Sequence, residues 1–386
     1  MSKASACLRS ALVTALTIAL ASCAGGDGDK GSSGSSATKV GHVFVVVLEN
    51  KDYAKTFASD SLAPYLATEL KAKGALLEQY YGIGHVSLGN YIAMISGQGL
   101  NLATQTDCQL YTNFIGAPPA SAIDGQAIGV GCVFPTTVPN LTDQLTAAGL
   151  SWRGYMEDMG NTPDREAAAC AHPDLNSVDG TQSATAEDNY ATRHNPFMYF
   201  HSVIDNQALC EQHVVPLTAL DSDLGAVDTT ARYSFITPDL CSDGHDSPCA
   251  DGEPGGLESI NDFLQVLVPK ILDSAAFKKD GLLIITFDES DGPQSDASAC
   301  CGAGPTPNSL LPGITGPGGG RVGAVIISPF VKPGTVSTAE YNHYSMLRTV
   351  QDLFGLPYLG YAGSTGQASF GADVFTQRLP ELPPRP

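Results

Sequence analysis

From Gly41 onward the chain alternates short apolar runs with segments of helical periodicity. His42 to Leu48 is a run of strand length without polar alternation, the pattern of a parallel strand buried on both faces. Pro64 opens a segment carrying Tyr65, Leu66 and Leu70 and closed by Gly74, which predicts a helix with its usual punctuation. The same reading predicts strands over Ala75–Tyr81, Leu150–Met156, Arg232–Thr237, Leu282–Phe287 and Val322–Ser328, and helices over Asn140–Ala148, Gly256–Leu272 and His343–Phe354. Strand and helix in this repeated order predict an α/β domain, a mainly parallel sheet with helices on both faces. In such sheets ligands bind beyond the carboxyl ends of the strands. Three long stretches break the rhythm, Gln98–Val138, Asp158–Arg193 and Ser290–Gly320. Each exceeds an idle connection, so they are substrate loops or surface excursions.

The ends of the chain read differently. Lys3 and Arg9 precede the apolar run Ala11–Ala21, which is too short to span a bilayer and is laid out like a secretory signal. It ends in Leu20-Ala21-Ser22-Cys23, which resembles the bacterial lipobox. That resemblance implies cleavage before Cys23 and lipidation of its thiol; a plain signal peptide with an incidental cysteine is the alternative. Residues 24–39 are rich in Gly, Ser and Asp and suit a flexible tether. The expected organisation is a leader over 1–22, Cys23 and a linker to 39, a catalytic body over 40–372 and a Pro-rich tail over 373–386. The body is expected outside the cytoplasm, lipid-anchored at a bacterial membrane or released from it.

Charge narrows the function. Lys+Arg 20 against Asp+Glu 40 gives a formal net charge of -20, which excludes a protein that holds nucleic acid by nonspecific charge. Of the cysteines, Cys7 leaves with the leader and Cys23 is the anchor. Cys108, Cys132, Cys170, Cys210, Cys241, Cys249, Cys300 and Cys301 remain. An even set in an exported chain reads as disulfides pinning the long loops. A zinc cluster is the alternative, but no pair has CxxC spacing.

Polar chemistry gathers where the predicted strands end. Glu49-Asn50 follows the first, Gly84-His85-Val86-Ser87-Leu88-Gly89-Asn90 the second, Pro238 to His245 the Arg232–Thr237 strand, and Asp288-Glu289 the Leu282–Phe287 strand. Glu49, Asp288 and Glu289 with the amide oxygen of Asn50 make an oxygen-rich site for a hard cation, and Asp239, His245 and His343 supply a mixed oxygen and nitrogen set. Ser87 at a helix N-terminus has the positive end of the dipole behind it, the arrangement that receives phosphate. A serine beside a metal is a candidate nucleophile. Any one of these residues alone is a turn former or a helix cap, so the reading rests on the set.

Taken together, several motifs carry a resemblance. They are Glu49-Asn50 with Tyr53, His85-x-Ser87-x-x-Asn90-Tyr91, His194-Asn195-Pro196-Phe197, Pro238-Asp239-Leu240-Cys241 with Asp243 and His245, Asp288-Glu289, and Tyr341 to Thr349. In order and spacing they resemble the bacterial phosphoesterase family, which groups acid phosphatases and phosphatidylinositol 3-phosphatases with phosphatidylcholine-type phospholipases C in the alkaline-phosphatase superfamily. The resemblance implies an alkaline-phosphatase-like fold and metal binding at Glu49, Asn50, Asp288 and Glu289. It implies Ser87 as a transiently phosphorylated nucleophile and Asn90 as the amide that holds a phosphoryl oxygen. It places His194, Asp239, His245 and His343 around the site as ligands, phosphate contacts or proton donors. Gly89 stands where the family usually has Pro, which is expected to loosen that turn. The implied activity is metal-dependent hydrolysis of phosphate monoesters, on a small molecule or a lipid headgroup. Its rivals are a phospholipase C-type phosphodiesterase and a non-catalytic surface lipoprotein. The cation is calcium, magnesium, manganese or zinc.

Overall fold

The computed structural model describes residues 40–117 and 123–376. The leader, Cys23, the linker through residue 39 and the tail from residue 377 lie outside the described residues. Eight strands form the central sheet: β1 His42–Leu48, β2 Ala75–Tyr81, β3 Trp152–Met156, β4 Val214–Pro216, β5 Tyr233–Thr237, β6 Gly281–Phe287, β7 Ala324–Ile327 and β8 Thr335–Asn342. Their order across the sheet is β8-β2-β7-β6-β1-β5-β3-β4. β7 runs antiparallel to both of its neighbours, and every other pair in the sheet is parallel. The mainly parallel sheet read from the sequence is the sheet that forms.

Every residue of β1 and β6 is buried, which requires cover on both faces. Each fully buried Val, Leu or Ile in them contributes about 1.5–3 kcal/mol of transfer free energy. Helices that flank the sheet include α1 Ser87–Ser96, α2 Leu141–Ala147, α3 Gly256–Asp273 and α4 His343–Phe354. α1 packs on α4, while α3 packs on the helical segment Tyr65–Leu70 that Pro64 introduces. α2 opens on a capping box in which Asn140 Oδ1 accepts from Thr142 N at 2.8 Å and Asp143 Oδ2 accepts from Asn140 N at 2.9 Å. α4 begins with the Asn342 side chain on Ser345 N and stops at Gly355, whose φ of 68° suits glycine.

Two strands have no counterpart in the sequence reading. β8 is an edge strand with an interrupted burial pattern, so its Ser337, Thr338, Glu340 and Asn342 hide the apolar signal. β4 is three residues long. Two of the three long stretches carry small ribbons, Leu110–Tyr111 with Ser177–Val178 and Ile115–Ala117 with Ile128–Val130. All eight expected cysteines are bridged, as Cys108–Cys132, Cys170–Cys210, Cys241–Cys249 and the adjacent pair Cys300–Cys301. Among the described residues no helix is long and apolar enough to cross a membrane.

Register sets the site. Leu48 pairs with Phe287, so Glu49 and Asp288 leave the sheet at one level. β5 lies on the other side of β1 and delivers residues 238–245 to the same edge.

Candidate active site

β2 ends at Tyr81, and the turn Gly82–Val86 leads into α1 at Ser87. Val86 sits at φ 81° and ψ 126°, a conformation that costs a β-branched residue about 1–3 kcal/mol. Asn90, one turn into α1, holds that bend: its Oδ1 accepts from Ile83 N at 2.8 Å and Gly84 N at 3.1 Å, and its Nδ2 donates to Gly84 O at 2.9 Å. The Ser87 hydroxyl is thereby presented to the end of β1, where it donates to Glu49 Oε2 at 2.9 Å. The loop before β7 comes close beneath the bend. A Cβ on Gly82 would meet Asp288 O at 2.7 Å, and one on Gly319 would meet Gly84 O at 2.4 Å.

Gly89 lies inside the first turn of α1 with helical backbone rather than in a loosened bend. A Cβ there would lie 2.3 Å from Leu100 Cγ. The missing side chain makes room for a buried leucine, so the glycine tightens the packing behind Ser87 where the sequence reading expected slack.

Four carboxylates converge. Glu49, Asp243 and Asp288 are fully buried and Glu289 nearly so. Glu49 Oε1 accepts from Tyr91 OH at 2.7 Å and lies 3.4 Å from His194 Nε2, while His194 Nδ1 lies 3.1 Å from Asp243 Oδ2. Burial pushes all four carboxyls above the usual range, and repulsion by neighbouring carboxylates adds to it at Glu49, Asp243 and Glu289. Burial, then the charges of Arg193 and His245, holds His194 well below the usual imidazole range, so its ring is neutral.

A neutral imidazole has one N–H, so one of the two His194 nitrogens faces a carboxylate oxygen with a lone pair. The same conflict recurs at His85. Its Nε2 donates to Asp296 O at 2.8 Å, which leaves Nδ1 as a lone pair 3.3 Å from Glu289 Oε2. Asp288 Oδ2 is buried and takes no hydrogen bond of ordinary geometry among the described residues. A carboxyl proton would satisfy any one of these contacts and a cation would satisfy them together, since four buried carboxylates beside two imidazole lone pairs are the donor set of a cation site. Among the described residues Glu49, His194 and Asp243 bring one ligating atom each within 4.8 Å of the others.

The remaining predicted residues take distinct places. Asn50 donates its backbone N to Asp288 Oδ1 at 3.1 Å and its Nδ2 to Glu49 Oε2 at 2.7 Å, so it ties two carboxylates together through its N–H groups. His343 Nε2 donates to Asp288 O at 2.6 Å and Nδ1 accepts from Tyr80 OH at 3.1 Å. Both nitrogens are used and burial holds the ring down at about 4, so His343 fixes the Asp288 backbone rather than meeting a ligand. Asp239, expected among the metal ligands, forms a turn instead: its Oδ1 accepts from Cys241 N and Ser242 N, both at 2.8 Å, and its N donates to Glu157 Oε2. His245 has a partly exposed ring, with Nδ1 on Asp246 at 2.7 Å and Nε2 facing Arg193 Nη2 at 3.3 Å. Arg193 is buried and reaches toward Asp107, whose Oδ1 accepts from Leu88 N at the start of α1.

Asp243, Tyr91, His85, Asp107 and Arg193 are absent from the site as read in the sequence. Asp243 was within reach of it, since it stands in the Pro238 to His245 motif. Tyr91 follows Asn90 and stacks on His194 with ring centroids 5.1 Å apart. Asp107 and Arg193 come from long loops, where nothing local marks them.

Residues 57–357 match the model of the Phosphoesterase family. The chain belongs to that family. The match covers Ser87, His194, Asp243 and Asp288 and begins after Glu49 and Asn50. An acid phosphatase of Aspergillus fumigatus is 25% identical over 354 residues, which cover 89% of this chain and 64% of the fungal one. A probable acid phosphatase of Kluyveromyces lactis is 24% identical, over 85% of this chain and 64% of its own length. The chain therefore spans less than two thirds of these fungal relatives. A phosphatidylinositol-3-phosphatase of Mycobacterium tuberculosis is 25% identical over 89% of this chain and 86% of its own. Among solved structures, a protein of the alkaline phosphatase superfamily from Vibrio parahaemolyticus is similar with a TM-score of 0.46 and 12% identity, covering 83% of this chain and 68% of that one.

Proposed function

We propose that the chain is a cation-dependent hydrolase of phosphate monoesters with Ser87 as its nucleophile. The observation that carries this is the Ser87 hydroxyl at the start of α1, hydrogen-bonded to Glu49 at 2.9 Å within a group of four buried carboxylates. Glu49, His194, Asp243 and Asp288 would hold the cation, helped by Glu289. When bound, it supplies charge neutralisation at the reacting phosphoryl group. The chain's own part is positional. Glu49 Oε2 takes the Ser87 proton as Oγ bonds to phosphorus and the bond from phosphorus to the leaving oxygen breaks. Tyr91 and Asn50 keep Glu49 oriented. Arg193 forms the cationic side of the site, its Nη2 donating to His245 Nε2, and His245, the partly exposed histidine with its Nδ1 on Asp246, is assigned the proton that goes to the leaving oxygen. Water then cleaves the phosphoserine. The names of the relatives favour monoesters, including phosphoinositide headgroups, over the diesters of phospholipases C.

Hydrolysis of a chromogenic phosphate monoester by wild type and Ser87→Ala, at one cation concentration, tests the assignment. The variant should lose at least about a thousandfold in kcat; comparable rates would sink it. Release of free phosphate rather than phosphocholine from a lipid separates the monoester reading from its rival.

The four disulfides support an exported protein. We propose that it is a lipoprotein acylated at Cys23. Labelled fatty acid should enter the wild type and not Cys23→Ser; equal labelling of the two rejects the anchor.

A further inference from the structure

Exposed apolar side chains gather on the loops that hold the Ser87 turn. The ribbon of Ile115–Ala117 and Ile128–Val130 pairs Ile115 with Val130 and Ala117 with Ile128. Strand side chains alternate, so these four share one face. That face is open, with Ile115 76%, Val130 48% and Ile128 41% exposed. The second ribbon does the same, pairing Leu110 with Val178 at 51% and 75% exposure. An antiparallel ribbon in water ordinarily turns its apolar face to the core; here two present it outward.

A third segment joins the first ribbon. Asn308 accepts from Gly129 N at 2.8 Å and donates to Ala127 O at 2.7 Å, so the loop carrying Leu310, 79% exposed, is fastened to the first ribbon. The first ribbon and this loop are also nearly free of charge, whereas Val178 of the second ribbon stands beside Asp179. In a chain that is 16% charged, residues 108–142 contain Asp124 alone, and residues 297–320 contain none. Both loops bond directly to the residues around Ser87: His85 N donates to Pro312 O at 2.9 Å and Leu88 N to Asp107 Oδ1 at 3.0 Å.

We propose that this uncharged, apolar-tipped surface seats on a neutral or zwitterionic lipid layer and holds Ser87 beside phosphoesters carried in that layer. The proposal rests on the reading of Ser87 as the nucleophile for its consequence, not for the contact itself. Apolar tips without Lys or Arg give insertion without selection for anionic lipid, and a net charge of -20 opposes an anionic surface. A lipid layer is favoured over a second copy of the chain because it brings phosphoesters to the residues that flank Ser87. A protein seated there brings none.

The test uses the full chain carrying Cys23→Ser, so that no acyl chain contributes, and flotation with phosphatidylcholine vesicles with and without phosphatidylglycerol. The chain should float with phosphatidylcholine and less well as phosphatidylglycerol is added. Ile115→Asp, Val130→Asp and Leu310→Asp together should weaken partition at least about tenfold while leaving hydrolysis of a soluble ester and the melting temperature unchanged. Ser87→Ala in the same background should float like its parent whether or not Ser87 is the nucleophile, which keeps the two readings separable. No flotation of the parent, equal flotation of the triple variant, or a dimer in sedimentation that the triple substitution dissolves would each overturn the proposal.

Discussion

Val86 holds a left-handed backbone that its side chain resists, directly before Ser87. Val86→Gly removes that conflict, so the variant should be about 1 kcal/mol more stable to denaturant. Hydrolysis should slow by about tenfold as the turn gains freedom. A variant both less stable and fully active would mean that the bend stores nothing useful. Glu157, beneath Asp239, offers a pH signature away from the reaction. Burial, then the Asp239 charge, pushes its carboxyl from 4.5 up to about 8. A carboxyl raised on folding binds its proton more tightly in the folded chain. Its contribution is therefore full below the unfolded value and is lost as pH rises through the folded one. The melting temperature of wild type should fall relative to Glu157→Gln between about pH 4.5 and pH 8; parallel curves reject the assignment. At this scale the sequence exposed Glu49, Asp288 and Glu289, because they follow strands directly, and Ser87, because it opens the helix after the turn that ends β2. It did not expose how they are used. Asn50 ties carboxylates through its N–H groups, His343 serves a carbonyl, and Asp239 spends its Oδ1 on a turn, since a residue type does not tell which neighbour claims its hydrogen bonds.

Helices and strands were legible wherever burial was complete. β1, β6 and α4 were readable almost to the residue, because their burial and caps leave one solution. β8 was invisible because an edge strand needs no apolar run, and the reversed direction of β7 was invisible because a short buried strand reads the same both ways. Two element-scale outcomes follow from particular atoms. Asn140→Ala removes the acceptor for Thr142 N and should cost about 1–2 kcal/mol in urea unfolding. Gly89→Ala drives a Cβ into Leu100 and should cost about 1–3 kcal/mol, and pairing it with Leu100→Ala should recover part of that loss. If Leu100→Ala brings no recovery, the contact is not the cause.

Across the whole molecule, charge and crosslinks set stability. A divalent cation that binds the folded carboxylate group and not the unfolded chain should raise the melting temperature progressively with its concentration. Glu49→Gln with Asp243→Asn should abolish that rise, and sodium chloride at matched ionic strength should not reproduce it. Cys170–Cys210 closes a separation of 40 residues, and replacing both by Ala should cost about 4 kcal/mol. Strand order reaches further, into how the chain is made. β1 is among the first elements to be synthesised, yet its two neighbours in the sheet begin only at Tyr233 and Gly281. A strand with no polar face therefore waits, unpaired, through most of translation. Glu49 at its end stays uncommitted for as long, so the group it forms with Ser87 and Asp288 assembles only once the chain is nearly all made.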